Sequence, residues 1–226
     1  MRGVNILRKS LLVVLIFLLS ASQLQAARLH DEQFLFLCAN GTPQEINNAI
    51  KSGANVNAKF NDGVTALMFA AVNNKNPEVI KILLQARNNV NYKDNDGMTA
   101  LMFAANSRND SEVIKLLLKA GANVNAKDKT SSTALIFAAC STNNPEVINI
   151  LLKAGADVNA EDKSGWTALI WAAKFNENPE IVNALIDSDS PVKHRDKSGR
   201  TALDYARNNE NLKGSDALKR LEELSK

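Results

Sequence analysis

The sequence predicts an all-α repeat solenoid, a stack of six helix–turn–helix units carrying finger loops. Three observations lead there. First, "GVTALMFAA" at Gly63 returns as "GMTALMFAA" at Gly97, "SSTALIFAA" at Ser131, "GWTALIWAA" at Gly165 and "GRTALDYAR" at Gly199. Thr65, Thr99, Thr133, Thr167 and Thr201 are therefore 34 residues apart every time, the mark of a repeat architecture. Second, an apolar helical stretch follows each of the first four copies: "NPEVIKILL" (76–84), "DSEVIKLLL" (110–118), "NPEVINILL" (144–152) and "NPEIVNALI" (178–186). Third, the two end units put polar residues where the inner ones are apolar, as a stack without outer neighbours requires.

The first 26 residues read differently from the rest. Arg2, Arg8 and Lys9 precede the unbroken apolar run "LLVVLIFLL" (11–19), and small residues follow in "SASQLQAA". A basic start, a short apolar core and a small-residue exit describe a secretory signal peptide. The run falls short of the ~20 residues that span a bilayer. Cleavage is expected after Ala26, with Ser22 and Ala27 as other positions. An uncleaved membrane anchor is the alternative. The chain has 27 basic and 24 acidic residues. Removing the three basic residues of the leader leaves 24 against 24, so residues 27–226 carry no net field for nucleic acid or anionic lipid.

The units are expected at about 31–60, 61–94, 95–128, 129–162, 163–196 and 197–226. In the first, Glu45 and Asn48 stand where later units have Val79, Val113, Val147 and Ile181, and Ile82, Leu116 and Ile150. In each later unit the threonine caps the first helix through its hydroxyl. Asn76, Asp110, Asn144 and Asn178 cap the second. Pro77, Pro145 and Pro179 take the first helical position, where a missing N–H costs nothing. Glu78, Glu112, Glu146 and Glu180 complement the helix dipole. Gly121 and Gly155 end the second helix in left-handed conformation, and Arg87 and Asp189 hold the same slot, Arg87 at a cost of about 1 kcal/mol. Gly63, Gly97, Gly165 and Gly199 fall where the finger turn needs positive φ. Asp204, Arg207 and the charged "SDALKRLEELSK" close the stack.

Together "DKSGWTALIWAA", "NPEIVNALI" and "AGADVNAED" resemble ankyrin repeats, from about Asp31 to Lys226. The family pattern is D-x-x-G-x-T-P-L-H-x-A-A, then E-I-V-x-L-L-L and G-A-D-V-N. Here Pro-Leu-His becomes Ala-Leu-Met, Ala-Leu-Ile or Ala-Leu-Asp. The histidine-to-threonine hydrogen bond of the family is lost, and Met68, Met102, Ile136 and Ile170 are expected to pack in its place. The step of 34 exceeds the usual ~33, the extra residue falling between the helices, as in "VNNKNP" (72–77). Similarity of the Asn-rich repeats to bacterial ankyrin proteins implies a bacterial source.

Sequence motifs for catalysis are missing: no phosphate loop, no dinucleotide fingerprint, no nucleophile elbow and no zinc-ligand spacing. His30 and His194 lie far apart in the stack. No enzyme activity, cofactor or metal is expected. Asp94, Asp128, Asp162 and Asp196 repeat in the fingers. Asx-type turns explain that ladder better than a calcium site. Cys38 and Cys140, three units apart at ~10 Å per helix layer, are expected as free thiols, since a disulfide needs Cα atoms within ~7 Å.

The resemblance implies a non-catalytic protein-binding module, with the partner in the concave groove of fingers and first helices. It is expected to be a monomer that binds a protein, without nucleic acid or small-molecule substrate, and to meet a membrane only through an uncleaved leader. Its place is the periplasm or the outside of the cell. A periplasmic scaffold or chaperone-like binder is the first reading. A secreted effector that binds a host protein, or an inhibitor-type binder, is the alternative. Candidate groove residues are Val64, Met98, Ser132, Trp166 and Arg200, which precede the threonines, with Lys174, Phe175 and Trp171. Phe69, Phe103, Phe137, Trp171 and Tyr205 form an aromatic ladder. Those rings pack between units or line the groove, and their recurrence favours packing. Trp166 and Phe175 break columns that are otherwise aliphatic, polar or charged, so they point to a partner.

Overall fold

The computed structural model describes residues 31–86, 88–107 and 111–226. The leader assigned to 1–26, His30, Arg87 and the Asp110 cap lie outside the described residues. Among the described residues there are twelve α-helices and no strand. They pair as α1 (Asp31–Asn40) with α2 (Pro43–Lys51), α3 (Ala66–Asn73) with α4 (Pro77–Gln85), and α5 (Ala100–Asn106) with α6 (Ser111–Lys119). The series goes on with α7 (Ala134–Ser141) and α8 (Pro145–Lys153), α9 (Ala168–Phe175) and α10 (Pro179–Ile186), then α11 (Ala202–Ala206) and α12 (Asp216–Leu224). Odd-numbered helices stack in one layer and even-numbered helices in a second, each touching its predecessor. None of these helices is long and apolar enough to cross a membrane.

The caps are those the sequence predicts. Thr65, Thr99, Thr133, Thr167 and Thr201 each accept the backbone N–H three residues on. Asn76, Asn144 and Asn178 accept the N–H two residues on, ahead of Pro77, Pro145 and Pro179. Met68 and Met102 do more than pack. Their Sδ atoms accept the backbone N–H of Thr65 and Thr99 at 3.4 Å, closing a reciprocal cap with sulfur. Asp204 closes it with a carboxylate, accepting both the N–H and the hydroxyl of Thr201. Ile136 and Ile170, equally buried, offer no acceptor.

Gly121 and Gly155 end their helices at φ 87°, and Asp189 does so at 58°. The finger glycines are also left-handed. In the fourth unit Ser131 takes that conformation at φ 68°, a strain glycine would avoid. At Gly63 an added Cβ would come within 3.0 Å of the Asn95 backbone, so the next finger closes that site from above.

Each finger is shaped by its aspartate. Oδ1 of Asp94, Asp128, Asp162 and Asp196 accepts N–H groups two and four residues on. The aspartate N–H returns a bond to the carbonyl four residues on. Neighbouring fingers join through backbone bonds from Lys129 to Asp96, Lys163 to Thr130 and Lys197 to Ser164. These are the Asx turns the sequence predicts, and no metal-holding cluster of carboxylates, His or Cys occurs among the described residues.

A second bridge is buried between units and is not legible as a motif. Asn74, Asn176 and Asn209 follow their first helices. Asn176 donates to the carbonyls of Ala139 and Thr142 at 2.9 Å and accepts the Asn178 N–H at 2.8 Å. Asn74 does the same for Cys38, Gly41 and Asn76, and Asn209 for Ala173, Asn176 and Asn211. One amide thus satisfies three backbone groups of two units.

The columns Val79, Val113, Val147 and Ile181 are fully buried, whereas Leu116 and Ile150 are only half-buried. Glu45 and Asn48 are exposed at the first end. Asn176→Ala leaves two carbonyls and one N–H unmet. It is expected to lower unfolding free energy by about 2–4 kcal/mol in denaturant titration, with loss under ~1 kcal/mol contradicting the bridge.

Candidate partner-binding face

The finger of the fifth unit places Trp166. Its N–H donates to Asp162 Oδ1 at 2.9 Å, and its carbonyl accepts the Asp162 N–H at 3.0 Å. The other carboxylate oxygen, Oδ2, accepts the indole N–H of Trp171 at 3.1 Å. A single aspartate therefore sets both tryptophans of the chain. His194 Nε2 lies 2.8 Å from the Gly165 carbonyl and so donates to it, tying the next finger to the residue before Trp166.

These anchors gather four rings. Trp166 meets Trp171 edge-on at 5.0 Å, Tyr205 at 4.9 Å and Phe175 at 6.1 Å, and Trp171 meets Phe175 at 5.4 Å. Trp171 and Phe175 are one helical turn apart on α9, as their spacing predicts. Lys174 Nζ lies 4.6 Å from the Trp166 ring centre, 5.0 Å from Tyr205 and 5.1 Å from Phe175. The Arg200 guanidinium lies 5.7 Å from Tyr205. Such cation–ring contacts contribute ~0.5–1 kcal/mol each where exposed.

Exposure separates these residues. Phe175 keeps 47% of its surface in solvent. Trp166, Trp171 and Lys174 are half-buried, Arg200 is exposed and Tyr205 is buried. Of the remaining candidates, Val64 and Met98 are half-buried in the other fingers. Ser132 is only 5% exposed and its hydroxyl pairs with Thr130 at 3.0 Å, so it presents little to a partner. The structure thus brings Trp166, Trp171, Lys174, Phe175 and Arg200 together, and leaves Val64, Met98 and Ser132 apart in other units.

Tyr205, Asp162 and His194 belong to this arrangement and were not singled out by sequence reasoning as part of it. A signal existed for two of them. Trp171 follows Asp162 by nine residues, and Tyr205 follows Asp196 by nine, donating its hydroxyl to Asp196 Oδ2 at 2.6 Å. The phenylalanines in the same column have no group to donate. That column also begins one unit earlier, at Phe36. Phe36, Phe60 and Phe69 form a second cluster of edge-on pairs, 5.3–5.8 Å apart, at the other end of the stack.

Electrostatics follow burial and donors. Burial acts to raise the Asp196 carboxyl, but the Tyr205 and Ser198 hydroxyls and two backbone N–H groups outweigh it and hold the carboxyl well below the usual carboxylate range. Cys38 is buried and its thiol is pushed up to about 12 by that burial. Burial raises Cys140 too, against a bond from Ser141. Both thiols are free, as expected.

Stacked helix pairs, capped ends and finger turns repeated at one step define a helical repeat protein. Family models for ankyrin repeats match residues 34–128 and 135–221, and another ankyrin-repeat model matches 107–152. The chain belongs to the ankyrin-repeat family. Ankyrin repeats are generally protein–protein interaction modules. No curated protein matches the chain.

Tyr205→Phe keeps the ring against Trp166 and removes only the hydroxyl. It is expected to lower stability by about 1–2 kcal/mol at neutral pH. Because Asp196 titrates lower in the folded than in the unfolded chain, its contribution is complete above ~pH 4–5 and disappears as pH falls through the folded value. The difference between wild type and Tyr205→Phe should therefore shrink in acid. Thermal midpoints at neutral pH and along an acid series carried down through the range where the folded carboxyl takes up its proton check this, and a gap that stays constant over the whole series contradicts it.

Proposed function

We propose that this protein is an exported, non-catalytic binding module that takes a loop or helix of a partner protein on the face around Trp166 and Phe175. The carrying observation is the exposed Phe175 ring beside a half-buried Trp166, with both already held by neighbours. A ring ordered before binding loses little further entropy when a partner covers it, and aromatic anchors of this kind dominate interface energies. Val64 and Met98 extend the same face toward the first units.

The leader composition of residues 1–26 supports export, with the periplasm as the first compartment and a scaffold or chaperone-like role there. Release into the medium to bind a host protein is the second reading. Mass spectrometry of protein recovered from a secreting host is expected to find a mature N-terminus at Ala27. An intact Met1 in the membrane fraction would overturn export as a cleaved protein.

Binding is tested by capture from periplasmic extract on wild-type protein and on Trp166→Ala/Phe175→Ala. A partner retained by the wild type should be lost from the double variant, with its thermal midpoint, lowered by the lost ring packing, checking that it is still folded at the capture temperature. Partner retention at wild-type level removes the two rings from the site.

A further inference from the structure

The charges around the rings go beyond the reading of a protein-binding face, and rest on it. Lys174, Lys197 and Arg200 are in or beside the ring cluster, and Lys163 is on the same finger as Trp166. Lys163 and Lys197 sit on adjacent finger tips joined by the Lys197 N–H to Ser164 bond. The Lys197 stem lies 3.4 Å from where a Cβ on Gly165 would stand, next to Trp166. Lys174 and Arg200 rest on ring faces. Among the described residues none of these four cations is in an ion pair, whereas Lys81, Lys115 and Arg220 pair with Glu78, Glu146 and Asp187 on the even-numbered helices and their ends.

The two aspartates that bond the ring donors are already occupied. Asp162 and Asp196 each accept two backbone N–H groups and an aromatic donor, and so face inward into their turns. The tip positions change sign along the stack. Asn61 and Asn95 give way to Lys129, Lys163 and Lys197, while Asp62 and Asp96 give way to Thr130, Ser164 and Ser198. At these two positions the fingers become more basic toward the end that carries Trp166 and Phe175, while two residues earlier Lys59, Lys93 and Lys127 give way to Glu161 and then Arg195. Exposed Glu161 lies 3.7 Å from His194 Nε2, which itself bonds the Gly165 carbonyl, so an acid stands at this end of the face; that suits separate carboxylates better than a continuous phosphate backbone.

We propose that this end of the face binds an acidic segment of a partner protein, in which carboxylates flank one apolar anchor. The anchor covers Phe175 and Trp166. The flanking carboxylates meet Lys174, Arg200 and the finger-tip lysines. Lys174 is held on the rings before binding, so pairing it loses less side-chain freedom than pairing a free lysine. The anchor supplies affinity, and the charges supply register and encounter rate.

The chain's only two tryptophans, Trp166 and Trp171, report on the site by their emission. Selection of a random-peptide display library on the full protein is expected to enrich acidic peptides with a single aromatic or large aliphatic residue. Synthetic copies should shift tryptophan emission on binding. Lys174→Met keeps the stem on the rings without the charge, and Phe175→Ser removes an exposed ring. Each should weaken binding roughly tenfold, and added salt should weaken it further. Lys115→Met, on the even-numbered layer, should leave binding unchanged, and thermal midpoints check that all variants fold.

Neutral or basic peptides that shift the emission, or acidic ones indifferent to Lys174→Met, overturn the acidic partner and leave the protein-binding face standing. Peptides that bind without changing the emission or responding to Phe175→Ser overturn the face itself, as does a selection that enriches nothing. Phosphatidylglycerol vesicles that shift the emission where acidic peptides do not would assign the patch to a lipid surface and overturn the proposal.

Discussion

A helix of seven to ten residues does not hold together alone in water, because nucleation costs more than so few hydrogen bonds return. Helices α1–α10 and α12 are seven to ten residues long, and α11 has five. Their stability has to come from the seams between units. The seam is built three ways at once: apolar columns such as Val79, Val113, Val147 and Ile181, the buried amides of Asn74, Asn176 and Asn209, and the finger-to-finger backbone bonds. Each unit leans on its neighbours, so the chain behaves as a one-dimensional stack whose ends need polar faces.

The same seam produces the candidate site. Asp162 exists in the frame to close a finger turn, as Asp94 and Asp128 do. Its free oxygen becomes useful only where the ladder ring carries a donor. Replacing phenylalanine by Trp171 there fixes the indole, and Tyr205 repeats the device one unit on. Trp166 then finds rings on two sides, one from its own unit and one from the next. Phe175 is left with that support beneath it and solvent above. The site is a local change of side chains on an unchanged frame, which is how repeat folds acquire different partners.

Much of this was legible because the determinants are local. Thr65 and its equivalents cap from three residues away, Asn144 from two, and Gly155 needs only its own φ. Local rules also gave the aspartate turns. They missed what depends on reach across units. Asn176 looks like an ordinary turn asparagine, yet its partners are Ala139 and Thr142, more than thirty residues earlier. Met68 is a different case: its sulfur reaches the Thr65 N–H three residues back in the same unit, a local bond hidden because methionine is not an ordinary capping residue. Ser132 shares a column with Trp166 and Arg200, but its small side chain stays under the finger.

The sequence by itself determined the repeat, its step, the caps and the polar ends, since each rests on spacing along the chain. It also singled out Trp166 and Phe175 as departures from their columns. Only the tertiary structure decided which rings meet, because Tyr205 reaches Trp166 through the stacking of the sixth unit on the fifth. It also decided that Lys174 lies over those rings, with no ion pair among the described residues, while Lys115 is matched to Glu146. Side-chain exposure and charge pairing depend on what the neighbouring unit places alongside. A one-dimensional spacing does not contain that information.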